Sequence, residues 1–310
     1  MKKVLSLVTV FCMVLVFAVG CGNKASENKD ATGKKNVVVT TSFLGDMVEQ
    51  IAKDKVNVDV IIPTGEDPHL YVAKPEDLNK IKNGDLILYH GLHFEGKMQE
   101  VLEKKGSAVA KNFGDSEVGK MEEDGQEVID PHFWFDLNLY KKAVDEANTQ
   151  LSSLLPEYKD EFEKNTVEYK AKLDKLNEEN KNLLGAIPKE HRFLITPHDA
   201  FNYFSRMYDI EVVAPQGVST SSEVANKDIE KTADFIVKNK VKAIFSESTT
   251  NPERMKKLQE IVKSKGYDVK IVSGEGKELY SDSLGPKGSD GSTFIDMYRH
   301  NVKLIHDNLK

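Results

Sequence analysis

The chain has 310 residues, of which 39% are hydrophobic, 8% aromatic and 30% charged, and its net charge is −7 at pH 7. That is too apolar for a disordered chain, and a single apolar run long enough to concern a membrane excludes a polytopic membrane protein. No basic block stands out, which argues against nucleic acid as a partner, and the length suits about two domains.

Lys2 and Lys3 precede a charge-free stretch from Val4 to Gly20, the layout of a secretory signal. Its end, Ala18-Val19-Gly20-Cys21, resembles a bacterial lipobox, although Leu is usual where Ala18 stands. The resemblance implies that residues 1–20 are a signal peptide and that Cys21 becomes an acylated N-terminus. The protein is then lipid-anchored on the extracytoplasmic face of the cell membrane; the alternative is an uncleaved anchor. The other cysteine, Cys12, lies inside the signal, so the mature body has no disulfide and no thiol ligand. Residues 21–36 lack apolar periodicity and read as a flexible tether, spanning on the order of 20 Å.

Asn36–Thr41 is a β-branched run, expected as a buried strand. Thr41 or Ser42 can cap a helix over Phe43–Ala52. Val56–Ile62 is a second strand, Pro75 opens a helix at a tolerated position, and Asp85–Tyr89 is a third strand. Phe193–Thr196, Ile210–Val213, Lys242–Phe245 and Val269–Val272 repeat the strand pattern. Helices are expected over Asn226–Lys238, Asn251–Lys265 and Thr293–Leu309. Strands alternating with helices imply βαβ units and parallel sheets. The fold class is therefore α/β with two lobes, 37–156 and 186–310. Between them, Glu157–Leu184 has no Pro or Gly, with Phe162, Val167, Tyr169, Leu173 and Leu176 set among many Lys and Glu. A coiled-coil partner would need a sustained a/d repeat. A single rigid connector helix over 157–185, running roughly 40 Å, accounts for it better.

Of eight histidines, three follow a proline: Pro68-His69, Pro131-His132 and Pro197-His198. Chance predicts about a quarter of one such pair at these compositions. His198 follows a strand at its C-terminal end, the edge where α/β sheets place ligands. Imidazole is the commonest metal ligand, and three of them on stiffened loops need only a carboxylate to complete a divalent site. His90 and His93 are expected to be structural, His300 and His306 to be surface residues of a terminal helix, His191 to lie in a turn, and Trp134 to serve packing. Glu247, after a buried strand, can orient a ligand imidazole or hydrogen-bond a loop.

The words Glu66-Asp-Pro-His-Leu-Tyr71, Gly91-Leu-His-Phe-Glu95, Asp130-Pro-His-Phe-Trp-Phe135, Pro197-His-Asp-Ala-Phe201, Gln216-Gly-Val-Ser-Thr220, Ser246-Glu-Ser248 and Leu279-Tyr-Ser-Asp-Ser-Leu-Gly285 occur in this order. They resemble the substrate-binding lipoproteins of manganese/zinc ABC transporters, the TroA-like or bacterial solute-binding protein 9 family, over residues 37–310. The resemblance implies two α/β lobes joined by one long helix, with the metal in the cleft. It carries the ligands onto His69, His132 and His198 and adds a fourth, Asp282. It implies a non-enzymatic protein, expected as a monomer, that captures a divalent cation and delivers it to a membrane permease. A metallohydrolase with a His₃Asp centre and a surface adhesin are the alternatives. Three imidazoles and a carboxylate favour Zn²⁺ by intrinsic affinity. Residues 112–130 contain no histidine, however, and the words are most similar to the manganese-type branch. Mn²⁺ is therefore the expected cargo and Zn²⁺ its competitor, and a bidentate Asp282 would suit Mn²⁺.

Overall fold

The run Val37-Val38-Val39 lies at the centre of the first sheet. β1 (Lys35–Val39) is flanked by β2 (Val56–Val60) and β3 (Leu86–Tyr89), with β4 (Ser107–Ala108) beyond β3 in the order β2-β1-β3-β4. All pairings are parallel. Val37, Val38 and Val39 are buried on both faces of the sheet, as parallel strands covered by helices require. In this computed structural model, residues 33–123, 126–221 and 223–310 are described. Cys21, the signal and most of the tether lie outside them. No helix among the described residues is long and apolar enough to cross a membrane.

α1 (Ser42–Ala52) starts at Thr41, whose side chain accepts the amide of Leu44. α2 (Pro75–Asn83) carries Pro at its start. Asp77 accepts both the Lys74 amide and the Tyr71 hydroxyl at 2.8 Å, which fixes the loop that leads away from His69. α3 (Gln99–Lys105) follows. Besides β4, α3 and the short helix over Asn202–Tyr208, two larger features lie outside those expected from the sequence. One is an antiparallel hairpin, β5 (Lys120–Glu123) and β6 (Gln126–Ile129). The other is α4 (Leu137–Leu154), which carries a clear helical signature. Asp136 caps it through the Asn138 amide, and Tyr140, Ala143, Val144, Ala147 and Leu151 line its buried face.

The connector is α5 (Lys159–Gly185), entered through a 3₁₀ turn at Pro156–Tyr158. It packs against α1 and α4 rather than standing free. Its buried stripe is Phe162, Thr166, Tyr169, Leu173, Leu176, Asn180 and Leu184, spaced at steps of three or four residues. Val167, one of the apolar residues read along it, is instead 59% exposed, and polar Thr166 takes the inward position. The stripe is set by helical phase, not by side-chain polarity alone.

The second sheet has the order β10-β9-β7-β8, again all parallel: β7 (Phe193–Ile195), β8 (Glu211–Val213), β9 (Ala243–Phe245) and β10 (Lys270–Val272). α6 (Asn202–Tyr208), α7 (Asn226–Asn239) and α8 (Glu253–Ser264) accompany it. The last helix, α9 (Phe294–Leu309), leaves this sheet and packs on α5 and α1. Its first amide, Phe294 N, donates to Asp46 Oδ2 on α1 at 3.1 Å. The Phe294 ring stacks on Tyr140 at 3.7 Å. One apolar core thereby runs through both halves of Lys35–Lys310, which form a single compact unit. His306, expected on the surface, is only 8% exposed because it shares the inward face of α9 with Val302, Ile305 and Leu309. His300 is half-buried, with Nε2 bonded to the Glu278 carbonyl at 3.0 Å.

Candidate metal centre

Each of the three Pro-His pairs ends or interrupts a loop. His69 follows a turn in which Asp67 Oδ1 accepts the His69 amide at 2.9 Å. His132 follows β6, and Asp130 Oδ1 accepts both its amide, at 3.0 Å, and its ring Nδ1, at 2.8 Å. His198 follows β7, at the C-terminal edge of the second sheet, and bridges in parallel to Gln216. Asp282 follows Leu279, which continues the pairing of the second sheet by bridging to Glu247.

The fold brings these four residues together. The ligand-capable atoms of His69, His132, His198 and Asp282 all lie within 4.8 Å of one another, and all four residues are buried. Asp282 Oδ1 is 3.4 Å from His132 Nε2, while Oδ2 is 3.2 Å from His198 Nε2 and 4.0 Å from His69 Nε2. All three Nε2 atoms and Asp282 Oδ1 are buried without a hydrogen-bond partner among the described residues. Buried polar atoms are nearly always paired, so four of them converging on one point could hold a cation.

The far sides of two rings are held by carboxylates. Asp130 takes Nδ1 of His132, and Glu247 Oε2 takes Nδ1 of His198 at 2.5 Å. Either contact directs Nε2 inward and makes the ring a better donor. Glu247 Oε2 also accepts the Ser281 hydroxyl at 3.1 Å, so one carboxylate steadies both His198 and the loop of Asp282. Asp130 is itself held by Asn202 Nδ2 at 3.1 Å.

Charge follows this geometry. Burial opposes a charged ring at His132, but Asp130 and Asp282 outweigh it and raise its pKa to about 9. At His198 burial is likewise outweighed, by Glu247 and Asp282, and the pKa rises well above its ordinary value. Burial alone would raise Asp282; the charges of His198 and His132 beside it hold it well below the usual carboxylate range. His69 feels mostly burial, which lowers it to about 3. The pocket is therefore a balanced cluster in which a divalent cation can take the place of protons on imidazole.

Contacts across the cleft surround the centre. Thr220 Oγ1 donates to Asp67 Oδ2 at 2.6 Å, Tyr203 Oη to the Asp130 carbonyl at 2.9 Å, and Leu284 N to Ser42 Oγ at 3.0 Å. His90 is fully buried in a cage of Phe43, Phe94, Phe133 and Trp134, with Nε2 on Thr41 Oγ1 at 2.7 Å, and it does not join the four. His93 is exposed. His191 lies in a 3₁₀ turn. Trp134 is wholly buried, and its indole also bonds to the loop of Asp282. Asp130 and Asn202 are the orienting residues that sequence reasoning passed over. The Asp-Pro-His word contained the signal for Asp130, since an Asp two residues before His reaches its Nδ1 only in a turn.

Residues 37–308 match the family model described as zinc-uptake complex component A, periplasmic. The chain is 38% identical over 296 residues, 94% of each chain, to the manganese-binding lipoprotein MntA of Bacillus subtilis. It is 39% identical over 285 residues, 90% of each chain, to the zinc-binding protein TroA of Treponema pallidum. Among solved structures, one from work on the metal-binding specificity of TroA superposes with a TM-score of 0.88 at 60% identity, covering 89% of this chain and all of that one. Periplasmic TroA of Treponema pallidum superposes with a TM-score of 0.85 at 38% identity, covering 89% and 99%.

Proposed function

From a chain that belongs to the zinc-uptake component A family, we infer a protein that captures a divalent metal ion outside the cytoplasm and delivers it to an ABC permease. The ion is its cargo, held by His69, His132 and His198 through Nε2 and by Asp282. The observation that carries this reading is the convergence of four buried, unpartnered ligand atoms within 4.8 Å. The names of the relatives, which speak of manganese and of zinc, support a metal of this class.

We propose Mn²⁺ as the physiological cargo and Zn²⁺ as a tight competitor. Both oxygens of Asp282 face imidazoles, Oδ1 toward His132 and Oδ2 toward His198 and His69. A carboxylate presented edge-on can bind through both oxygens, and the fifth contact suits manganese better than tetrahedral zinc. Against a hydrolase stands the engagement of Glu247, the one base the sequence offered: its Oε2 holds His198 and Ser281 and so serves to orient them. The adhesin alternative finds no support in the described surface.

Metal analysis of protein isolated from its native cells tests the cargo; manganese is expected, and zinc alone would overturn that choice. Metal titration of His69→Ala, His132→Ala, His198→Ala and His300→Ala tests the ligand set. The first three should lose affinity and the last should keep it; equal behaviour of all four would sink the assignment. Attachment through acylated Cys21 predicts that Cys21→Ala is released from membranes on fractionation, because two acyl chains are about what stable anchoring needs. Release to ABC permease would then occur from a tethered monomer.

A further inference from the structure

Two of the three imidazoles at the candidate centre are steered by a carboxylate on Nδ1, His132 by Asp130 and His198 by Glu247. Among the described residues His69 has none. Its one close carboxylate is Asp282, at 4.0 Å on the Nε2 side, and Asp67 holds only its backbone amide. The ring is fixed by packing. Phe94 meets it edge-on, with centroids 5.0 Å apart and planes at 85°. Gly96 lies directly against the His69 carbonyl, where a Cβ would come within 2.8 Å of the oxygen. Both residues belong to the loop that follows β3.

That loop is strained. Gly91, Leu92 and His93 have φ of 87°, 56° and 64°, three consecutive residues in the left-handed region, and two of them carry a Cβ. L-residues enter this region singly and at a cost, and runs of them persist only where the surroundings hold them. The amide of Phe94 closes the turn on the Gly91 carbonyl at 3.2 Å, and that of Gly96 reaches the His93 carbonyl at 3.3 Å. The side chain of Glu95 supplies the rest. Its carboxylate is wholly buried and accepts the His90 amide at 2.6 Å, the Gly91 amide at 3.3 Å and the Thr40 hydroxyl at 2.8 Å. These three donors leave it with no direct contact to the centre.

We propose that Glu95 is a positioning residue for His69: by gathering the amides at the entrance of the left-handed turn it locks the loop that presents Phe94 and Gly96, and these set the His69 ring. The three imidazoles thus have three carboxylates, two acting directly and one through the backbone. A carboxylate is needed because all its partners are donors; an amide offers one acceptor and turns its own N–H groups on the other donors. The inference rests on His69 being a ligand of the metal.

The test is titration of the full-length protein in detergent with Mn²⁺ at pH 8, where Glu95 is ionised, in single and double variants. Glu95→Gln should weaken Mn²⁺ binding about tenfold, the lower end of what loss of an orienting contact costs. Adding His93→Gly, at an exposed position whose strain glycine removes, should restore affinity to within about threefold of wild type. In a His69→Ala background, Glu95→Gln should change affinity by less than about twofold, because the two act as one unit. A merely structural Glu95 would give the full loss in both backgrounds, and that additive result would overturn the inference alone. Wild-type affinity of His69→Ala would overturn the ligand assignment and this inference with it. If Glu95→Gln does not fold, Thr40→Val, which removes one of the three donors at similar volume, is used in the same cycle. It should show a smaller loss that again disappears with His69→Ala; an additive loss would overturn the proposal.

Discussion

Trp134 donates its indole N–H to the carbonyl oxygen of Ser281 at 2.9 Å. The donor lies two residues after His132 and the acceptor one residue before Asp282, so a single bond across 147 positions of sequence joins the two halves of the candidate centre. Trp134 is also the chain's sole tryptophan. Replacement by Phe keeps most of the packing but strands a buried carbonyl, which costs about 1–3 kcal/mol. Thermal unfolding of Trp134→Phe without metal should show a lowered midpoint, and manganese affinity should fall with it. A variant as stable as wild type would mean that the bond carries nothing.

Asp282 is the only one of the four residues with an ordinary negative charge, and all three Nε2 atoms face it. Saturating Mn²⁺ should raise the melting temperature of the wild type, since the unfolded chain scatters the ligands and binds weakly. Asp282→Asn preserves shape while removing the charge and one strong donor, so most of that rise should vanish. Melting curves with and without manganese or zinc decide it; an undiminished rise in Asp282→Asn would exclude the residue from the ligand set.

Metal release is expected without wide rocking of the lobes. α5 has no Gly or Pro before its last residue, and its buried stripe is packed against α1, α4 and α9. Close-packed cores resist continuous deformation, so small-angle scattering with and without metal should show radii of gyration equal within about 1 Å. The movement should be confined to the loops around His198 and Asp282. A large change in the radius would refute the stiff connector.

Burial raises the Glu95 carboxyl to about 7 despite its hydrogen bonds. An acid whose folded pKa lies above its unfolded value binds a proton in the native state that the unfolded chain has released. Stability contributed at this position is therefore lost as pH rises from the ordinary carboxylate range to about 7, and is constant above. Glu95→Gln cannot titrate. The stability difference between metal-free wild type and this variant should shift against the wild type across that window by about 3 kcal/mol. Urea unfolding of both proteins at pH 4.5, 6 and 8 measures it, and a pH-independent difference would show that Glu95 titrates normally.

Much of the centre was legible in the sequence because its information is local. A proline before a histidine, an aspartate before that proline and a strand ending just upstream are all read within six residues, and His69, His132 and His198 stood out on those grounds. The rhythm of strands and helices is local too, since period and capping are properties of a few consecutive side chains. Asp282 was different. Nothing within a few residues distinguishes it from other exposed-looking aspartates, and only the family resemblance selected it.

The sequence by itself determined the α/β class, the long connector and the three imidazoles, because short-range pattern fixes element type and loop chemistry. The tertiary structure alone decided which carboxylates face which ring nitrogens, that Thr166 and not Val167 turns inward on α5, that His306 is buried, and that α9 folds back to seat Phe294 on Asp46 and Tyr140. It also decided the left-handed turn at Gly91–His93 and the carboxylate of Glu95 that holds it. Most of these depend on contacts between residues far apart in the chain, such as His198 with Glu247 or Thr40 with Glu95. Burial and long-range hydrogen bonding choose among conformations and partners that local sequence leaves equally open.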